Sequence, residues 1–403
     1  MLFWRLAFRN LFRHRGRLFL NLILLVGAFA TIVSFKGFKT HVLHEVQDVV
    51  INSQYGHIQV AKKNLWQNLP VDQASDKLFE PTSNLIKQIS QIQGVHSVSG
   101  RIEFYGLVNT EDKSTSAHFI GVQPEIEKKL QDTIIMTEGA AFQNSKETIL
   151  SAGLKIKLKV SAGQEVTVLS PTLSGSVNAM DLKVIGLFST GIAEVDNGTI
   201  FLNLKDAQKI LDTDLVDRLL IKLDDEAQVP AVLQKIKTIT DGTELEAKGW
   251  RQLAELYNQV EKFYEFQNFF IEIIILLLLL LSVANTVTMT VFERHSEIGT
   301  LRALGDYESD VQNLFLVESF LLGSLSVAIA IPFSYLLVNF VSGLNIPIML
   351  PMASQAIPFK LIPTFGAYVE ASVVCIGSVV LASLLPARKA ARTSIVSALS
   401  AKI

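Results

Sequence analysis

The sequence predicts a membrane protein with four transmembrane α-helices and a large mixed α/β extracytoplasmic domain inserted between helices 1 and 2. Of the 403 residues, 49% are apolar and the mean hydropathy is +0.36, which exceeds what the core of a soluble protein requires. Four apolar runs are long enough to cross a bilayer. A long segment in which helix-like and strand-like periods alternate separates the first run from the second.

The four apolar runs cover residues 18–35, 269–291, 314–340 and 366–385. A hydrocarbon core requires roughly 20 helical residues, and each run approaches or exceeds that length. The first run has an alternative interpretation as a cleaved signal peptide, because a basic leader precedes it and Ala28-Phe29-Ala30 resembles a cleavage site. The apolar pattern continues well past this sequence, which favours an uncleaved helix.

Basic residues near the spans predict the orientation, since Lys and Arg near membrane-crossing ends are retained in the cytoplasm. The leader and the tail are both basic and contain no acidic residue: Arg5, Arg9, Arg13, Arg15 and Arg17, and Arg388, Lys389, Arg392 and Lys402. The loop between the third and fourth spans holds only Lys360. Both termini are therefore predicted to be cytoplasmic, with the large domain on the opposite side of the membrane.

This orientation divides the chain into a cytoplasmic N-terminus (1–17), the first span (18–37), an outer domain (38–265), the second span (266–292), a cytoplasmic loop (293–312), the third span (313–340), an outer loop (341–365), the fourth span (366–386) and a cytoplasmic tail (387–403). Within the outer domain, strands are predicted at 56–60, 95–108, 165–169, 182–188, 199–202, 218–223 and 244–246, and helices at 83–92, 205–211 and 229–239. The last three elements follow a β-α-β order, which suits a compact layered subdomain.

Both connections between this domain and the membrane keep helical periodicity, and we call them stalks. Apolar residues recur every three or four positions in the entry stalk (Phe38, Val42, Val46, Val49) and in the exit stalk (Leu253, Leu256, Val260, Phe263). The two stripes either pack on each other, and so transmit movement between the faces of the membrane, or each seats its helix on the core of the domain.

The cytoplasmic loop is charged at its start and apolar along one side. On a single helix it carries a narrow apolar stripe and a charged cluster: Ile298, Leu301 and Leu304, and Glu293, Arg294 and Glu297. Within the cluster the two glutamates stack four residues apart, and the arginine reaches the second of them. Such a helix suits docking in the groove of a partner, and a surface helix that only links two spans is the alternative.

The same loop carries a motif, because residues 293–305 read Glu-Arg-x-x-Glu-Ile-Gly-x-Leu-Arg-Ala-Leu-Gly directly after a span. This run resembles the signature of the FtsX-like, MacB-type ABC transporter permeases. The resemblance implies a location in the bacterial inner membrane, with the large domain in the periplasm. The tail at 385–392, Leu-Pro-Ala-Arg-Lys-Ala-Ala-Arg, is similar to the end of those proteins, and the spacing of one span, a large outer domain and three spans extends the resemblance over the whole chain. Ile395 and Ser397 depart from it, because the family often has proline and glutamate there.

In that family the loop helix couples the membrane part to a nucleotide-binding subunit. The resemblance therefore implies an ATPase-coupling contact at Glu293, Arg294, Glu297, Ile298, Gly299, Leu301, Arg302, Leu304 and Gly305. The chain has no Gly-x-x-x-x-Gly-Lys-Ser/Thr loop to cradle phosphates, so it is expected to be a permease without enzymatic activity or a cofactor of its own. ATP and Mg are expected in two copies of a separate ABC ATPase.

A second permease chain, identical or different, is the other expected partner. Small residues four positions apart permit close approach of helices in lipid, as at Gly27 with Thr31 and at Ser319 with Gly323. Packing within one chain explains these pairs equally well.

Ionisable residues inside spans are functional candidates by default, yet Glu272, Glu318 and Glu370 lie near span ends. Glu318 is predicted to form an interhelical hydrogen bond. No metal site is expected, because the histidines singled out lack partners at metal-ligand spacing: His14, His57 and His295. The lone Cys375 excludes an intramolecular disulfide, and a net charge of −2 gives no field that would attract nucleic acid.

Aromatic residues gather where the second span enters the outer leaflet: Phe263, Tyr264, Phe266, Phe269 and Phe270. Phe266, Phe269 and Phe270 are candidates for contact with a substrate or with membrane lipid. Aromatic rings also prefer the depth of the lipid headgroups, and this preference alone accounts for such a cluster.

The resemblance leaves several functions open. The length and the β-rich part at 147–206 favour the lipoprotein-releasing (Lol-type) and MacB-like branches, which implies mechanotransmission: ATP-driven movement of the periplasmic domain that releases or exports a lipoprotein or another hydrophobic substrate. A periplasmic adaptor or a lipoprotein carrier would then be a further partner. The alternatives are a non-transporting FtsX-like regulator of a periplasmic cell-wall hydrolase and a MacB-like efflux protein with a periplasmic adaptor.

Overall fold

The computed structural model describes residues 2–13, 15–66, 76–127, 134–349 and 356–392. His14, Ile395, Ser397 and Lys402 lie outside the described residues. Backbone contacts divide the chain into two compact units. The membrane unit comprises Met1–Leu43, Val260–Ile346 and Pro358–Ile403, and the insert unit comprises His44–Gln259 and Pro347–Ile357.

The helices of the described residues are, in chain order, α1 (Leu2–Leu11), α2 (Arg15–Val49), α3 (Ser83–Ser90), α4 (Ala152–Leu158), α5 (Ala193–Asp196), α6 (Leu204–Leu211), α7 (Val229–Thr240), α8 (Trp250–Leu253), α9 (Glu255–Glu293), α10 (His295–Ala303), α11 (Glu308–Gly343) and α12 (Phe365–Ala391). A π-helical segment, Val50–Tyr55, continues α2, and a 3-10 turn, Glu226–Gln228, precedes α7.

The strands are β1 (Ile58–Lys62), β2 (Val95–Asn109), β3 (Ser114–Val122), β4 (Ile135–Gly139), β5 (Glu147–Ser151), β6 (Glu165–Pro171), β7 (Val177–Ser189), β8 (Thr199–Asn203), β9 (Arg218–Leu223), β10 (Leu245–Gly249), β11 (Pro347–Met349) and β12 (Ala356–Pro358). Within the described part of the insert unit, ten of them form one sheet in the order β10-β1-β9-β2-β3-β8-β5-β7-β4, and β6 pairs with β2 and β7. The long strand β2 joins the two halves, because its first part pairs with β9 and its second part with β3 and β6.

The predicted fold class is confirmed. Four helices of the described chain are long and apolar enough to span a membrane, at Arg15–Tyr55, Glu255–Glu293, Glu308–Gly343 and Phe365–Ala391. A mixed α/β unit lies in the chain between the first of these helices and the second.

Most predicted elements of the insert unit are present, with ends that differ by a few residues. The β-α-β order near its end is confirmed as β9, α7 and β10. The sequence does not predict α1, β3, β4 or β5. Strand β3 begins Ser-Thr-Ser and β4 reads Ile-Met-Thr-Glu-Gly, so neither has the strong apolar alternation on which strand prediction depends.

The core of the insert unit lies against one face of the sheet. Because side chains alternate across a strand, Ile102 and Phe104 of β2 point into this core together with Phe119 of β3. Their neighbours Glu103 and Tyr105 therefore lie on the opposite face.

The core of the membrane unit forms where α2, α9, α11 and α12 pack, and it includes Phe29, Leu279 and the buried thiol of Cys375. Gly323 of α11 permits the close approach, since a Cβ at this position would lie 3.2 Å from the Cα of Ile376. The pair Ser319 and Gly323 therefore serves packing within the chain. An added Cβ at Gly27 would have no neighbour within 4 Å among the described residues, so this face of α2 is open.

Candidate coupling site

The loop between the second and third spans, predicted to be cytoplasmic, is not one helix. Helix α9 ends at Glu293, Arg294 adopts a non-helical conformation with φ −98° and ψ 16°, and α10 starts at His295. The predicted stacking of Glu293 on Glu297 is therefore wrong, because the two residues lie on different helices. The predicted contact between Arg294 and Glu297 is confirmed, with 3.3 Å between Nε and Oε2.

The two glutamates instead pair with the segment at the start of α2. Arg13 donates to Glu297 over 2.6 Å, and Arg17 forms an ion pair with Glu293. The hydrogen bond from Arg13, aided by that from Arg294, lowers the pKa of the Glu297 carboxyl, so this group stays ionised. We call these two ion pairs the junction.

Glu318 of α11 accepts hydrogen bonds from two side chains. Asn10 of α1 donates to its Oε1 over 2.7 Å, and Arg294 donates to the same oxygen over 2.9 Å. The interhelical hydrogen bond predicted for Glu318 is thus confirmed. Arg294 also lies over the ring of Phe315, with 5.6 Å from its Cζ to the centroid.

The predicted apolar stripe of the loop is divided between the interior and the surface. Ile298 is buried in a cluster with Val311 and Phe315 and with the alanines of the C-terminal part of α12. Leu304 has 81% of its surface exposed, and Leu301 is half-buried. The single stripe is therefore a wrong prediction, because α10 ends at Ala303 and Leu304 belongs to the turn that follows.

The turn after α10 requires glycine at 305. Gly305 has φ +108°, a conformation that other residues rarely adopt. Arg302 fixes the turn by donating to the carbonyl of Asp306 over 3.2 Å and to Glu308 over 3.3 Å. The result is an exposed apolar turn in which Tyr307 follows Leu304. Gly299 is buried within α10.

The entry stalk begins in the membrane unit. The ring of Phe38 stacks on Phe359 at 5.0 Å between centroids and meets the edge of Tyr264 at 6.1 Å. Val42 is buried. At Gly37 the outer loop approaches so closely that a Cβ would lie 2.9 Å from the nitrogen of Pro363. At this level the entry stalk contacts α9 through Tyr264, which is not a residue of the predicted exit stripe, so the packing of the two stripes on each other stays a prediction.

The entry stalk ends in the insert unit, where Val46 and Val49 are half-buried and the π-helical segment is held by a buried arginine. Arg101 of β2 donates to the carbonyls of Ser53 and Gln54 over 2.9 and 3.0 Å. Its guanidinium also pairs with Glu127, and the two side chains are 0% and 1% exposed. We call Arg101 and Glu127 the seat. It satisfies carbonyls that the end of a helix leaves free.

The predicted stripe of the exit stalk is wrong in its register. The helical conformation is interrupted between α8 and α9 at Ala254, which has ψ +72°. The buried residues are consequently Trp250, Ala254, Tyr257 and Tyr264, whereas Phe263 is exposed. Leu253, Leu256 and Val260 are half-buried.

The aromatic candidates lie on the surface of α9. Phe266, Phe269 and Phe270 are exposed in the described chain, and their rings contact one another at 4.6 and 5.9 Å between centroids.

Glu272 and Glu370 meet in an ion-paired group with Lys36 of α2, whose Nζ lies 3.0 Å from Glu272. This pairing offsets much of the cost of charge within the spans.

Sequence reasoning missed several residues of the site. Arg13 and Arg17 were weighed only as topology signals, although their spacing of four matches that of Glu293 and Glu297. Arg101 and Glu127 gave no signal, because a buried ion pair between a strand and a distant loop has no local pattern.

Comparison with protein families gives two matches. A model described as FtsX-like permease C-terminal matches residues 269–395, and a model described as MacB-like periplasmic core domain matches residues 18–239. The second match alone covers more than half of the chain.

Relatives are found among bacterial permeases. The chain is 35% identical over 136 residues to the ABC transporter permease YtrF of Bacillus subtilis, which covers 32% of this chain and 31% of that protein. It is 23% identical over 245 residues to the lipoprotein-releasing system transmembrane protein LolC of Neisseria meningitidis, covering 58% and 59%, and 29% identical over 183 residues to LolC of Xylella fastidiosa, covering 43% of each. The chain thus spans less than two thirds of each relative.

Among solved structures, the periplasmic region of MacB from Actinobacillus actinomycetemcomitans aligns with 12% identity over 52% of this chain and 94% of that chain, at a TM-score of 0.36. The extracellular domain of the transporter YknZ from Gram-positive bacteria aligns with 15% identity over 48% and 99%, at a TM-score of 0.35.

Proposed function

Because the chain belongs to the FtsX-like, MacB-type permease family, we propose that it is the membrane subunit of an ABC transporter in which a separate ATPase moves the insert unit. Two ATPase copies and a second permease chain complete the transporter, and the open face of α2 at Gly27 is available to that second chain. The basic leader and tail favour cytoplasmic termini and a periplasmic insert unit.

The junction is the observation that carries this proposal. The pair of Arg17 with Glu293 joins the start of α2 to the end of α9. The pair of Arg13 with Glu297 joins the turn before α2 to α10. Helices α2 and α9 continue from the membrane unit into the insert unit. A displacement of α10 by a bound ATPase therefore acts on both helices together. A helix passes a tilt at one end to its other end with a lever arm of about 1.5 Å per residue.

The exposed turn of Leu304 and Tyr307 is the proposed docking surface for the ATPase. Glu293 and Glu297 of the loop are engaged within the chain, whereas these two side chains offer apolar surface. Leu304→Asp is expected to weaken co-purification with the ATPase, because burying an unpaired carboxylate at the interface is unfavourable. Thr300→Asp, at an exposed position of α10 outside this turn, is the control.

The cargo in this proposal is a lipoprotein or another hydrophobic molecule. The relatives named as lipoprotein-releasing proteins favour it, and the rings of Phe266 and Phe270 supply an exposed apolar surface for acyl chains. A photocrosslinker at Phe266 is expected to capture lipoprotein during ATP turnover. The same probe at Phe340, an exposed aromatic position of α11, is the control. Equal capture of lipid alone at both positions would contradict a cargo role.

Charge reversal tests the junction. Arg17→Glu is expected to uncouple ATP hydrolysis from movement of the insert unit, and the double variant Arg17→Glu/Glu293→Arg is expected to restore coupling because it restores the pair with opposite polarity. Arg9→Glu changes the charge of the leader equally at an exposed residue and is expected to retain coupling. Full coupling in Arg17→Glu alone would overturn the role of the junction.

A further inference from the structure

A cavity of about 780 Å³ lies within the insert unit. Its floor is the face of β2, β3 and β8 opposite the core, which presents Glu103, Tyr105, His118 and Phe201. Tyr55 and Leu256 are among the residues of its walls. The volume lies within the range of ligand-binding pockets, roughly 300–1,000 Å³.

The floor of the cavity holds a network of charged groups. The Oε2 of Glu103 lies 3.3 Å from Nε2 of His118 and 3.2 Å from Nη2 of Arg218. Arg218 also donates to both carboxylate oxygens of the buried Asp217, each over 3.0 Å. Burial opposes ionisation of Glu103, but Arg218 and His118 outweigh it and lower its pKa to about 2. The single guanidinium is therefore committed to two carboxylates.

The walls of the cavity add more negative than positive charge. Glu194 and Glu255 are exposed, and Lys157 of the wall donates to the carbonyl of Asn197 over 2.6 Å. The lining of the cavity thus holds three carboxylates against two fixed cations, namely Glu103, Glu194 and Glu255 against Arg218 and Lys157. This excess attracts a cation, and it is least screened where the wall excludes water.

An exposed aromatic ring stands beside these carboxylates. Tyr105 has 75% of its surface exposed, and it is held in place by stacking on the imidazole of His118, with 4.7 Å between ring centroids and 21° between planes. The faces of tyrosine rings attract ammonium and guanidinium groups, and the contact is stronger where carboxylates share the site.

We propose that this cavity binds a ligand with an ammonium or guanidinium group next to an apolar group, through Glu194, Glu255 and the ring of Tyr105. Such a group belongs either to a lysine or arginine side chain of an extended segment of an extracytoplasmic protein or to a free cationic amphiphile. The proposal is independent of the ATPase, since no residue of the junction lines the cavity.

The test uses the full chain in lipid nanodiscs and three probes: the blocked peptide acetyl-Ala-Leu-Lys-Ala-Leu-amide, the same peptide with glutamine for lysine, and n-hexylamine. Calorimetry is expected to show that the lysine peptide binds about three- to tenfold more tightly than the glutamine peptide. Hexylamine binding as tightly as the lysine peptide would identify a small amphiphile as the natural source, and weaker hexylamine binding would identify a protein segment.

Variants locate the site. Glu194→Gln/Glu255→Gln and, separately, Tyr105→Ala are expected to weaken binding of the lysine peptide about three- to tenfold, and exposure of these side chains keeps the fold intact. Glu111→Gln/Asp112→Asn removes two exposed carboxylates outside the cavity and is expected to change nothing. Equal affinity for the two peptides, unchanged affinity in the glutamate variant, or failure of both cationic probes to bind would overturn the proposal.

Discussion

The junction and the seat each contain arginine–glutamate ion pairs, the junction near the start of α2 and the seat at the π-helical segment that continues α2, but the pairs differ in exposure to solvent. Arg13 and Glu297 of the junction are 55% and 42% exposed, whereas Arg101 and Glu127 of the seat are almost fully buried. An exposed pair contributes about 0.2–1 kcal/mol and is screened by salt, while removal of one member of a buried pair costs about 3–5 kcal/mol.

This difference suits two tasks. Exposed pairs exchange partners at little cost, so in the proposed transporter the junction would rearrange during each ATPase cycle. The buried pair has no water to replace a lost partner, so the seat keeps the end of the π-helical segment fixed on β2. In the proposed transporter, movement therefore starts at a weak contact and is delivered through a strong one.

Interrupting the entry stalk has the largest expected effect. A Gly-Ser-Gly insertion after Val46 places a flexible segment between the junction and the seat. In the exit stalk, the same insertion after Val260 places a flexible segment in α9 between the insert unit and the junction. Each is expected to abolish ATP-driven movement of the insert unit while membrane insertion and basal ATP hydrolysis persist. Movement is followed by a fluorophore on Lys237→Cys, an exposed position of α7, in a Cys375→Ser background.

A three-alanine insertion at the same positions is the control, because alanine continues the helix and changes only length and register. Loss of movement with glycine and serine but not with alanine identifies rigidity as the requirement. Full movement in both Gly-Ser-Gly variants would show that the stalks are tethers.

Removing the arginine of the seat has the next largest effect. Arg101→Met leaves Glu127 buried without its cation and the carbonyls of Ser53 and Gln54 without a donor. We expect the free energy of unfolding of the insert unit to fall by about 3–5 kcal/mol, measured by urea denaturation with the fluorescence of the buried Trp250 as the signal.

The double variant Arg101→Met/Glu127→Leu separates pairing from packing. Replacement of both charges by apolar groups is expected to recover part of the loss, because no unpaired charge remains. A loss below about 1 kcal/mol in the single variant would place the seat in the same class as the junction, and the comparison between them would fail.

The fold was more predictable than the site, for a physical reason. The hydropathy of a span is a property of about 20 consecutive residues, so the four spans and the insert unit between them could be predicted from local composition. Strand β9 and helix α7 were predicted because their apolar periods are local and strong. Strand β4 was missed, since it is an edge strand whose pairing with the distant β7 is not visible in local sequence.

The coupling site depends on contacts between distant residues. The helix break at Arg294 could not be predicted from the motif, because residues 293–305 have no proline or early glycine to end α9. Nothing in the local sequence marks Arg101 as the residue that caps the π-helical segment, which ends far earlier in the chain at Tyr55. The glutamate of the third span is the exception, since a carboxylate at that depth needs a donor, and Glu318 has two.

Replacement of Glu103, whose side-chain exposure lies between those of the junction and the seat, is expected to change stability by an intermediate amount. Glu103 is ionised in the folded chain with a pKa of about 2, against 4.5 for an unperturbed carboxyl. Its depressed pKa contributes stability that is present above pH 4.5 and lost as pH falls toward 2. Glu103→Gln is therefore expected to lower the stability of the insert unit by about 1–3 kcal/mol at pH 7, and the difference from the natural chain should shrink below pH 4.5.

Asp217 keeps this variant folded, because it still pairs with Arg218. Burial and the neighbouring Glu103 raise the pKa of Asp217, so loss of Glu103 also favours its ionisation. Thermal unfolding between pH 7 and pH 3 measures the effect, with Glu111→Gln as the control. A stability difference that does not change with pH would contradict the assignment of Glu103 as an ionised partner.

The smallest expected effect is at the junction itself. Arg13→Gln removes one exposed pair, so thermal stability should change by no more than about 0.2–1 kcal/mol. Coupling between ATP hydrolysis and movement of the insert unit should nevertheless fall, and the deficit should be largest at low salt, because salt already weakens the pair in the natural chain. Raising the ionic strength from about 0.05 M to 0.5 M should bring the natural chain toward the variant, while the stability lost in Arg101→Met stays the same at both. Equal salt dependence at the junction and at the seat would show that burial does not separate them.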